Sequence, residues 1–321
     1  MKRKGIHSFK KISSKFGNVV ILLFLAVFAC IWLSFGDGKK NDTPNDEIFS
    51  ISDLCIDFLD VGSADCALIH NDKNLIMIDA GLINSNISVP DYIKNEIFDK
   101  RNIKKIDLMV LTHPHSDHYG QMTKVLDKFE TCKFITSESP VDKTDNLGYE
   151  KLINKLKEKH IKIEYAKPKT SFNIGDIRIN ILGPIRKDEK NINNNSVVLK
   201  LEYNGISVLF TGDAEREEET DLIKSGQNLK SHILKSPHHG SSTSSSFKFL
   251  KEVSPEQCIV STHDKKNNFY PHHKVVNSLN ALRIPYIRTQ DEGTIRVIID
   301  KNGKYHIPCI ENNKGIKKKV A

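Results

Sequence analysis

The sequence predicts an α/β domain preceded by one apolar N-terminal helix, and three observations indicate this. Short β-like runs alternate with helical stretches from residue 51 onward. The chain has no repeat of about 30 residues, which argues against a solenoid. The uncharged run at 19–35 stands out from a chain that is 27% charged and 38% hydrophobic. That overall composition excludes a disordered chain and a polytopic membrane protein.

The first 50 residues divide into three parts. Residues 1–18 form a basic head with six Lys or Arg and no acid, residues 19–35 are mostly apolar, and residues 36–50 form a polar linker. The apolar run reaches the short end of membrane-spanning length, about 17–25 residues, so we expect an uncleaved signal anchor. A signal peptide cleaved after Gly36, which would release a secreted protein, stays the alternative. Because cationic residues remain cytoplasmic, a single-pass anchor would place the following domain outside the bacterial cell membrane.

The net charge of +8 comes from the two ends of the chain. Residues 311–321 form a basic tail with four lysines and one glutamate, and the basic head adds six more cations. Without both ends, 38 basic and 39 acidic residues remain. Such a nearly neutral body is weak evidence for nucleic-acid binding, which needs clustered Lys and Arg. The six cysteines show no CxxC spacing and name no disulfide pair.

Residues 51–310 carry the predicted domain, and we expect no second one. Its strands are short apolar or alternating runs, at 54–59, 66–70, 75–78, 107–111, 133–136, 161–165, 177–182, 196–202, 206–210, 232–235, 257–261, 286–288 and 294–299. Its helices are predicted at 91–99, 117–129, 149–159, 215–224 and 274–282. The Ser/Thr-rich segment 241–246 is predicted to be a loop that ends as a helix N-cap.

One segment of this domain predicts a metal site. In DLMVLTHPHSDHYG (107–120), an apolar strand leads into His113, His115, Asp117 and His118. Two imidazoles that are two residues apart in an extended chain point the same way. The carboxylate and the third imidazole, at the start of the next helix, can therefore serve a second metal ion. Zn²⁺ takes such nitrogen and oxygen donors, and Mn²⁺ is the alternative at carboxylate-rich sites.

Two later strand ends supply the remaining candidate ligands. ISVLFTGD ends at Asp213, whose carboxylate suits a bridge between two metal ions. HILKSPHHGS ends in two adjacent histidines. His238 follows the strand more directly and is the preferred ligand, with His239 as the second choice. The sequence thus predicts a dinuclear centre built at the ends of three strands.

Several motifs together resemble the metallo-β-lactamase fold. They are IMIDAG (76–81), THPHSDH (112–118), FTGD (210–213) and SPHHGS (236–241). From about 51 to 299 the chain more specifically resembles the extracellular metallo-hydrolase domain of ComEC-type bacterial competence proteins. DVGSAD (60–65), NNNSVVLKL (193–201), YPHH (270–273) and RTQDEGTI (288–295) extend that resemblance. It implies a four-layer αββα sandwich with two Zn²⁺ ions that hydrolyses phosphodiesters of incoming DNA.

The resemblance also implies roles for individual residues. His113 and His115 would hold one ion, Asp117, His118 and His238 the other, and Asp213 would bridge them. Asp79 would be a buried group that orients the metal loop. Asp117 would also orient the attacking water, and His272 would protonate the leaving oxygen or bind phosphate. Further candidates for substrate contacts are Asp65, His239 and Ser241.

Two departures from the family pattern are visible. The general fold offers a further histidine to the first metal ion where this chain has Asn195 and Ser196, as competence-type proteins also do. We therefore expect three ligands and weaker binding there. Ser63 and Ala64 stand where the family usually has a Gln-Gly pair, so that loop departs from the family pattern.

The leading interpretation is an anchored extracytoplasmic metallo-hydrolase acting on phosphodiesters, with DNA as the first candidate substrate. One alternative is an enzyme of the same fold acting on another ester, such as a cell-wall phosphodiester. The other is a non-catalytic metal-binding partner of a separate DNA-uptake channel, since one span cannot conduct DNA. Fold alone does not decide among the three.

Overall fold

Two sheets packed face to face form the centre of the molecule. The computed structural model describes residues 53–141, 146–263 and 269–309. The predicted anchor at 19–35 lies outside these residues and stays a prediction. Within the described part of the chain, no helix combines the length and the apolar character needed to cross a bilayer.

The first sheet has eight strands in the order β15-β14-β1-β2-β3-β4-β5-β6. Its antiparallel half contains the N- and C-terminal strands, and its other half, from β3 to β6, is parallel. Its strands are β1 Leu54–Phe58, β2 Ala67–His70, β3 Leu75–Ile78, β4 Leu108–Val110, β5 Phe134–Thr136, β6 Ile163–Tyr165, β14 Ile295–Ile299 and β15 Tyr305–His306.

The second sheet has seven strands in the order β13-β12-β11-β10-β9-β8-β7. Strands β10 to β13 are parallel, and β7 to β10 are antiparallel neighbours. Its strands are β7 Thr170–Ile174, β8 Ile177–Gly183, β9 Val198–Tyr203, β10 Ile206–Phe210, β11 Ile233–Lys235, β12 Gln257–Val260 and β13 Tyr286–Arg288.

Helices cover the outer face of each sheet. Those on the first sheet are α1 Val89–Tyr92, which continues as a π-helical turn over Ile93–Phe98, α2 Ser116–Tyr119, α3 Met122–Lys128 and α4 Asn146–Glu158. Those on the second sheet are α5 Arg216–Lys224, α6 Phe247–Val253 and α7 His273–Ala281, with a short α8 Thr289–Glu292 after β13. The predicted α/β fold with two sheets and helices is confirmed.

The apolar side chains form three layers. One core lies between the sheets, where the rings of Phe58 and Phe210 stack with their centroids 5.7 Å apart. The other two lie between each sheet and its helices. Because the central strands are buried on both faces, they read as continuous apolar runs in the sequence. The carboxyl ends of the parallel strands β4, β10 and β11 lead into the predicted ligand segments, as is usual for sites on parallel strands.

Candidate metal centre

Asp79 and Thr112 fix the orientation of His118. The backbone N–H of Thr112 donates to Asp79 Oδ1, and the Thr112 hydroxyl donates to Asp79 Oδ2, each at 2.8 Å. The same Oδ2 lies 2.8 Å from His118 Nδ1. An Nδ1–H that donates to Asp79 leaves Nε2 free to ligate a metal. This geometry fits the orienting role predicted for Asp79, which itself has a left-handed φ of 58°.

Asp213 occupies the middle of the predicted ligands. Its Oδ1 lies 3.4 Å from His118 Nε2, and its Oδ2 lies 3.9 Å from His113 Nε2. The preceding Gly212 has a φ of 49°, and a Cβ there would meet Thr112 and Ser196 atoms within 3 Å. Because that position leaves no space for a side chain, glycine allows Asp213 to follow β10 closely.

The structure brings His239, rather than His238, to this group. His239 Nε2 lies 3.5 Å from Asp117 Oδ2 and 3.7 Å from Asp213 Oδ2. His238 lies 3.8 Å from Asp213, but its Nδ1 faces Glu215 at 3.0 Å and its side chain is 24% exposed. The geometry therefore favours the second choice, His239, over His238, and the choice between the two ligands stays a prediction. The physical reason lies in the backbone, because His238 and His239 both have left-handed φ values and their rings meet different partners, Glu215 and Asp117.

Four residues together could hold a divalent cation. Ligand atoms of Asp117, His118, Asp213 and His239 all lie within 4.8 Å of one another. Three of the buried atoms that face this point, His118 Nε2, Asp213 Oδ1 and His239 Nε2, have no hydrogen-bond partner. Buried polar atoms without partners are rare, and mixed imidazole and carboxylate donors suit Zn²⁺ or Mn²⁺. The residues present therefore fit the metal that the sequence predicts.

The predicted first metal position is less complete. His113 Nε2 and His115 Nδ1 lie 2.9 Å apart, so both rings face the same point beside Asp213. Where the general fold has a further histidine, the buried Ser196 hydroxyl accepts from the Asp213 N–H at 3.0 Å and lies 3.3 Å from His113 Nδ1. The serine thus holds two predicted ligands in place.

The electrostatics of the group favour positive charge. Burial alone would raise the pKa of the Asp213 carboxyl, but the His118 and His239 rings hold it well below its usual range. Burial alone would lower the pKa of His239, yet the Asp213 and Asp65 carboxylates raise it to about 9. Burial, together with the neighbouring His118, keeps the pKa of His113 well below its usual value, so that ring is neutral and free to ligate. A divalent cation would supply the charge that these carboxylates attract.

Other predicted residues lie away from the ligand set or have different partners. The buried Asn195 amide bonds the backbone of Asp188 and Asn191, so it orders its own loop. His272 precedes α7, where its Nδ1 accepts from the Ser242 N–H at 2.8 Å and its ring stacks on Tyr270. The structure thus connects His272 to the loop after His239, and its catalytic role stays a prediction.

Two predicted substrate contacts are buried. Asp65 is 5% exposed and pairs with the Lys235 ammonium at 2.7 Å. Ser241 is also buried, and its hydroxyl lies 3.0 Å from that of Thr243. Both groups have partners within the protein, although Asp65 Oδ1 has no hydrogen-bond partner, and their roles as substrate contacts stay predictions. His239, the third candidate, faces the metal group instead.

Two neighbours of the site were missed in the sequence. Lys235 ends an otherwise apolar strand, which was the visible signal, since a lysine at a core position needs a buried partner. Glu215 follows Asp213 by two residues and accepts hydrogen bonds from the amides of Asn191 and Asn193. The hydrogen bond from His238, acting against burial, lowers the pKa of Glu215 to about 2. Glu215 is one of four glutamates at 215–219, so nothing in the sequence distinguishes it from the others.

Comparison with known proteins agrees with this geometry. The chain is 28% identical over 254 residues to ComE operon protein 3 of Bacillus subtilis. The aligned residues are 75% of this chain and 32% of that protein. It is 25% identical over 242 residues to Recombination protein 2 of Haemophilus influenzae, covering 75% of this chain and 28% of the relative. The chain thus spans about a third of the length of these curated relatives.

Solved structures and family models place the fold. Igni18, a metallo hydrolase from the archaeon Ignicoccus hospitalis, superposes with a TM-score of 0.50 at 18% identity, covering 76% of this chain and 98% of Igni18. At that identity the likeness concerns the fold alone. The family model described as the metallo-beta-lactamase superfamily matches residues 59–263. With its two-sheet sandwich and the histidine and aspartate group at the strand ends, the chain belongs to the metallo-beta-lactamase superfamily.

Proposed function

We propose that this protein is a membrane-anchored, extracytoplasmic dinuclear metallo-hydrolase that cleaves phosphodiesters, with DNA as its substrate. The observation that carries the proposal is the group Asp117, His118, Asp213 and His239, whose ligand atoms lie within 4.8 Å of one another. Similarity to ComE operon protein 3 and to Recombination protein 2 supports DNA as the substrate. The apolar run at 19–35 supports the anchor.

The chain offers positions for two ions. The four-residue group would hold one, and His113 and His115 together with the shared Asp213 would hold the other, as Zn²⁺ or Mn²⁺. Bound there, the two cations would supply Lewis-acid polarisation of a phosphoryl oxygen and activation of water. The missing histidine at Ser196 makes the second of these positions the weaker one.

Side chains and backbone groups of the protein would orient the attacking water and hold the histidine ligands in place. Asp117 is the more exposed of the two carboxylates in the four-residue group, since its side chain is 29% exposed and that of Asp213 is 3% exposed. It is therefore placed to orient an incoming water. Asp79 and Thr112 hold the His118 ring, and Ser261 O accepts from His239 Nδ1 at 2.9 Å. These fixed rings would keep the ligand geometry unchanged while substrate enters and leaves.

The test is cleavage of labelled single- and double-stranded DNA by the full-length protein in detergent, depleted of metal and reloaded with Zn²⁺ or Mn²⁺. We expect metal-dependent cleavage that falls at least about 100-fold in Asp213→Asn, because loss of a shared ligand removes both cations' common anchor. Asp91→Asn is the matched control, since Asp91 is exposed and pairs with Lys128 on the surface. Cleavage that persists undiminished in Asp213→Asn would reject the site.

A second candidate substrate is a cell-wall phosphodiester. The near-neutral body of the chain favours it, because DNA tracking usually relies on clustered cations. Metal-dependent cleavage of a teichoic-acid phosphodiester without cleavage of DNA would select this alternative. Metal binding without turnover of either substrate would instead favour a non-catalytic partner of a DNA-uptake channel.

A further inference from the structure

A buried lysine lies beneath the metal group, the ligand set formed by Asp117, His118, Asp213 and His239. Lys235 is the last residue of β11 and is only 4% exposed. It shares a strand face with Ile233, which belongs to the core between the two sheets. Its ammonium lies 2.7 Å from Asp65 Oδ2 and donates to Ser236 O at 2.8 Å. Burying an ion pair is costly, so a pair at a core position calls for a specific reason.

Its partner Asp65 contacts three segments of the site at once. The Asp65 N–H donates to the Asp117 carbonyl at 3.2 Å, and the Asp65 carbonyl accepts from the Gly81 N–H at 2.8 Å. The free carboxylate oxygen, Oδ1, lies 3.6 Å from His239 Nδ1. Asp65 therefore joins the loop carrying Asp117 and the turn after Asp79 to the ring of His239.

The charge on Lys235 bears on the hydrogen bond that His239 makes. The Nδ1–H of His239 donates to Ser261 O at 2.9 Å, which aims Nε2 at Asp117 and Asp213. An uncompensated Asp65 carboxylate would compete with that carbonyl for the same proton, since a charged acceptor forms the stronger hydrogen bond. The Lys235 ammonium pairs with the Asp65 carboxylate, so the His239 Nδ1–H keeps its hydrogen bond to Ser261 O.

We propose that Lys235 and Asp65 form a positioning ion pair beneath the metal group, in which the lysine charge keeps the Asp65 carboxylate from drawing His239 out of its ligand position and so sets the metal affinity of the group. Lys235 comes from the second sheet, and Asp65 precedes β2 of the first sheet. Through Asp65 the pair holds His239 of one sheet in register with Asp117 of the other. The inference rests on the metal-binding part of the proposed function and is independent of the substrate.

The test is metal binding by Lys235→Met, which keeps the side-chain length and removes the charge. Zn²⁺ affinity is measured by chelator competition on the full-length protein, and the absorption spectrum of bound Co²⁺ reports ligand geometry. We expect about a 10- to 100-fold loss of affinity with an altered Co²⁺ spectrum, as for other groups that hold a metal ligand in place. The double variant Asp65→Asn with Lys235→Met removes both charges, and we expect it to recover most of that affinity.

Lys200→Met is the matched control. Lys200 is also 4% exposed and lies on β9 of the second sheet, and its ammonium donates to Asn228 O at 2.6 Å. We expect this variant to keep the affinity and spectrum of the unaltered chain. A loss as large as that of Lys235→Met would overturn the proposal, because any buried lysine would then have the same effect.

Three further outcomes overturn it. They are unchanged metal affinity and spectrum in a folded Lys235→Met, a double variant as weak as the single one, and, should Lys235→Met fail to fold, a folded Lys235→Gln that binds metal like the unaltered chain. Failure of the proposed function has a different signature. An unaltered chain that binds no metal rejects the metallo-hydrolase itself, whereas normal binding without DNA cleavage rejects only the substrate.

Discussion

Replacing Gly212 by alanine should damage the metal centre through a single methyl group. The new Cβ would lie 2.8 Å from Thr112 Cβ and 2.9 Å from Ser196 Oγ, closer than real Cβ atoms approach. Thr112 is the residue whose hydroxyl donates to Asp79, and the Ser196 hydroxyl accepts from the N–H of Asp213. Relief of the clash must therefore move one of the two groups that hold the ligands.

The magnitude follows from two separate costs. A φ of 49° is left-handed, which costs a non-glycine residue about 1–2 kcal/mol. Overpacking a closed site by a methyl group adds about 1–3 kcal/mol. The free energy of unfolding of the metal-free protein should therefore fall by about 2–5 kcal/mol in Gly212→Ala. Metal affinity should fall about 10-fold or more, because the groups that orient the ligands are displaced.

Gly226→Ala is the control, because Gly226 also has a left-handed backbone conformation. Gly226, after α5, has a φ of 69°, but no atom lies within 4 Å of a Cβ built there. Gly226→Ala should lose only the conformational part, about 1–2 kcal/mol, and keep its metal affinity. Urea unfolding followed by circular dichroism gives the stabilities, and chelator competition gives the affinities. A Gly212→Ala protein no less stable than Gly226→Ala, with unchanged metal affinity, would refute the reasoning.

Three other predictions follow from named contacts. His239→Ala should lower the bound metal measured by atomic emission, whereas His238→Ala should retain it, because His239 faces the ligand group. Arg296→Met should lower the free energy of unfolding by about 3–5 kcal/mol, since Arg296 donates two hydrogen bonds to the fully buried Asp57 carboxylate. Burial raises the pKa of Glu218 from its usual 4.5 to about 8, so stability should fall as pH rises from about 4.5 through 8, and Glu218→Gln should flatten that fall in urea unfolding.

Each of these has an outcome that contradicts it. Equal metal content in the two histidine variants would remove the distinction between the rings. Arg178→Met, on an exposed position of β8, should cost at most about 1 kcal/mol, and a similar loss in Arg296→Met would mean that the buried pair contributes no more than a surface one. A Glu218→Gln protein with the same pH dependence as the unaltered chain would show that another group titrates.

Most strands could be predicted because burial on both faces leaves a continuous apolar run. The predicted strand 206–210 matches β10, and 75–78 matches β3. By contrast, β7 was missed because its sequence, TSFNI, is partly polar and forms the edge of the second sheet with half-exposed side chains. The two-residue strand β15 is too short to give any pattern.

Helix ends and ring placement depended on tertiary contacts. The predicted helix at 117–129 is divided into α2 and α3, with Gly120 and Gln121 between them. A Cβ at Gly120 would lie 2.4 Å from Ile83 N, so contact with a distant loop constrains this point. The N-cap at the end of the Ser/Thr loop was predicted and is present, as Ser246 accepts from the Phe249 N–H, although α6 itself was missed. Which of two adjacent histidines enters the site depends on left-handed backbone that two identical residues do not indicate.

Because the candidate ligands come from both sheets, a bound metal ion would also connect the two sheets. Asp117 and His118 follow a strand of one sheet, whereas Asp213 and His239 follow strands of the other. Separating the two sheets would require the two bonds from one of the sheets to a bound ion to break, so an ion held there would cross-link the sandwich. A ligand that binds only the closed form slows its opening and stabilises it by mass action. Chelation of the ion should therefore make the domain more susceptible to proteolysis. The cation would then stabilise the protein independently of any reaction that it catalyses.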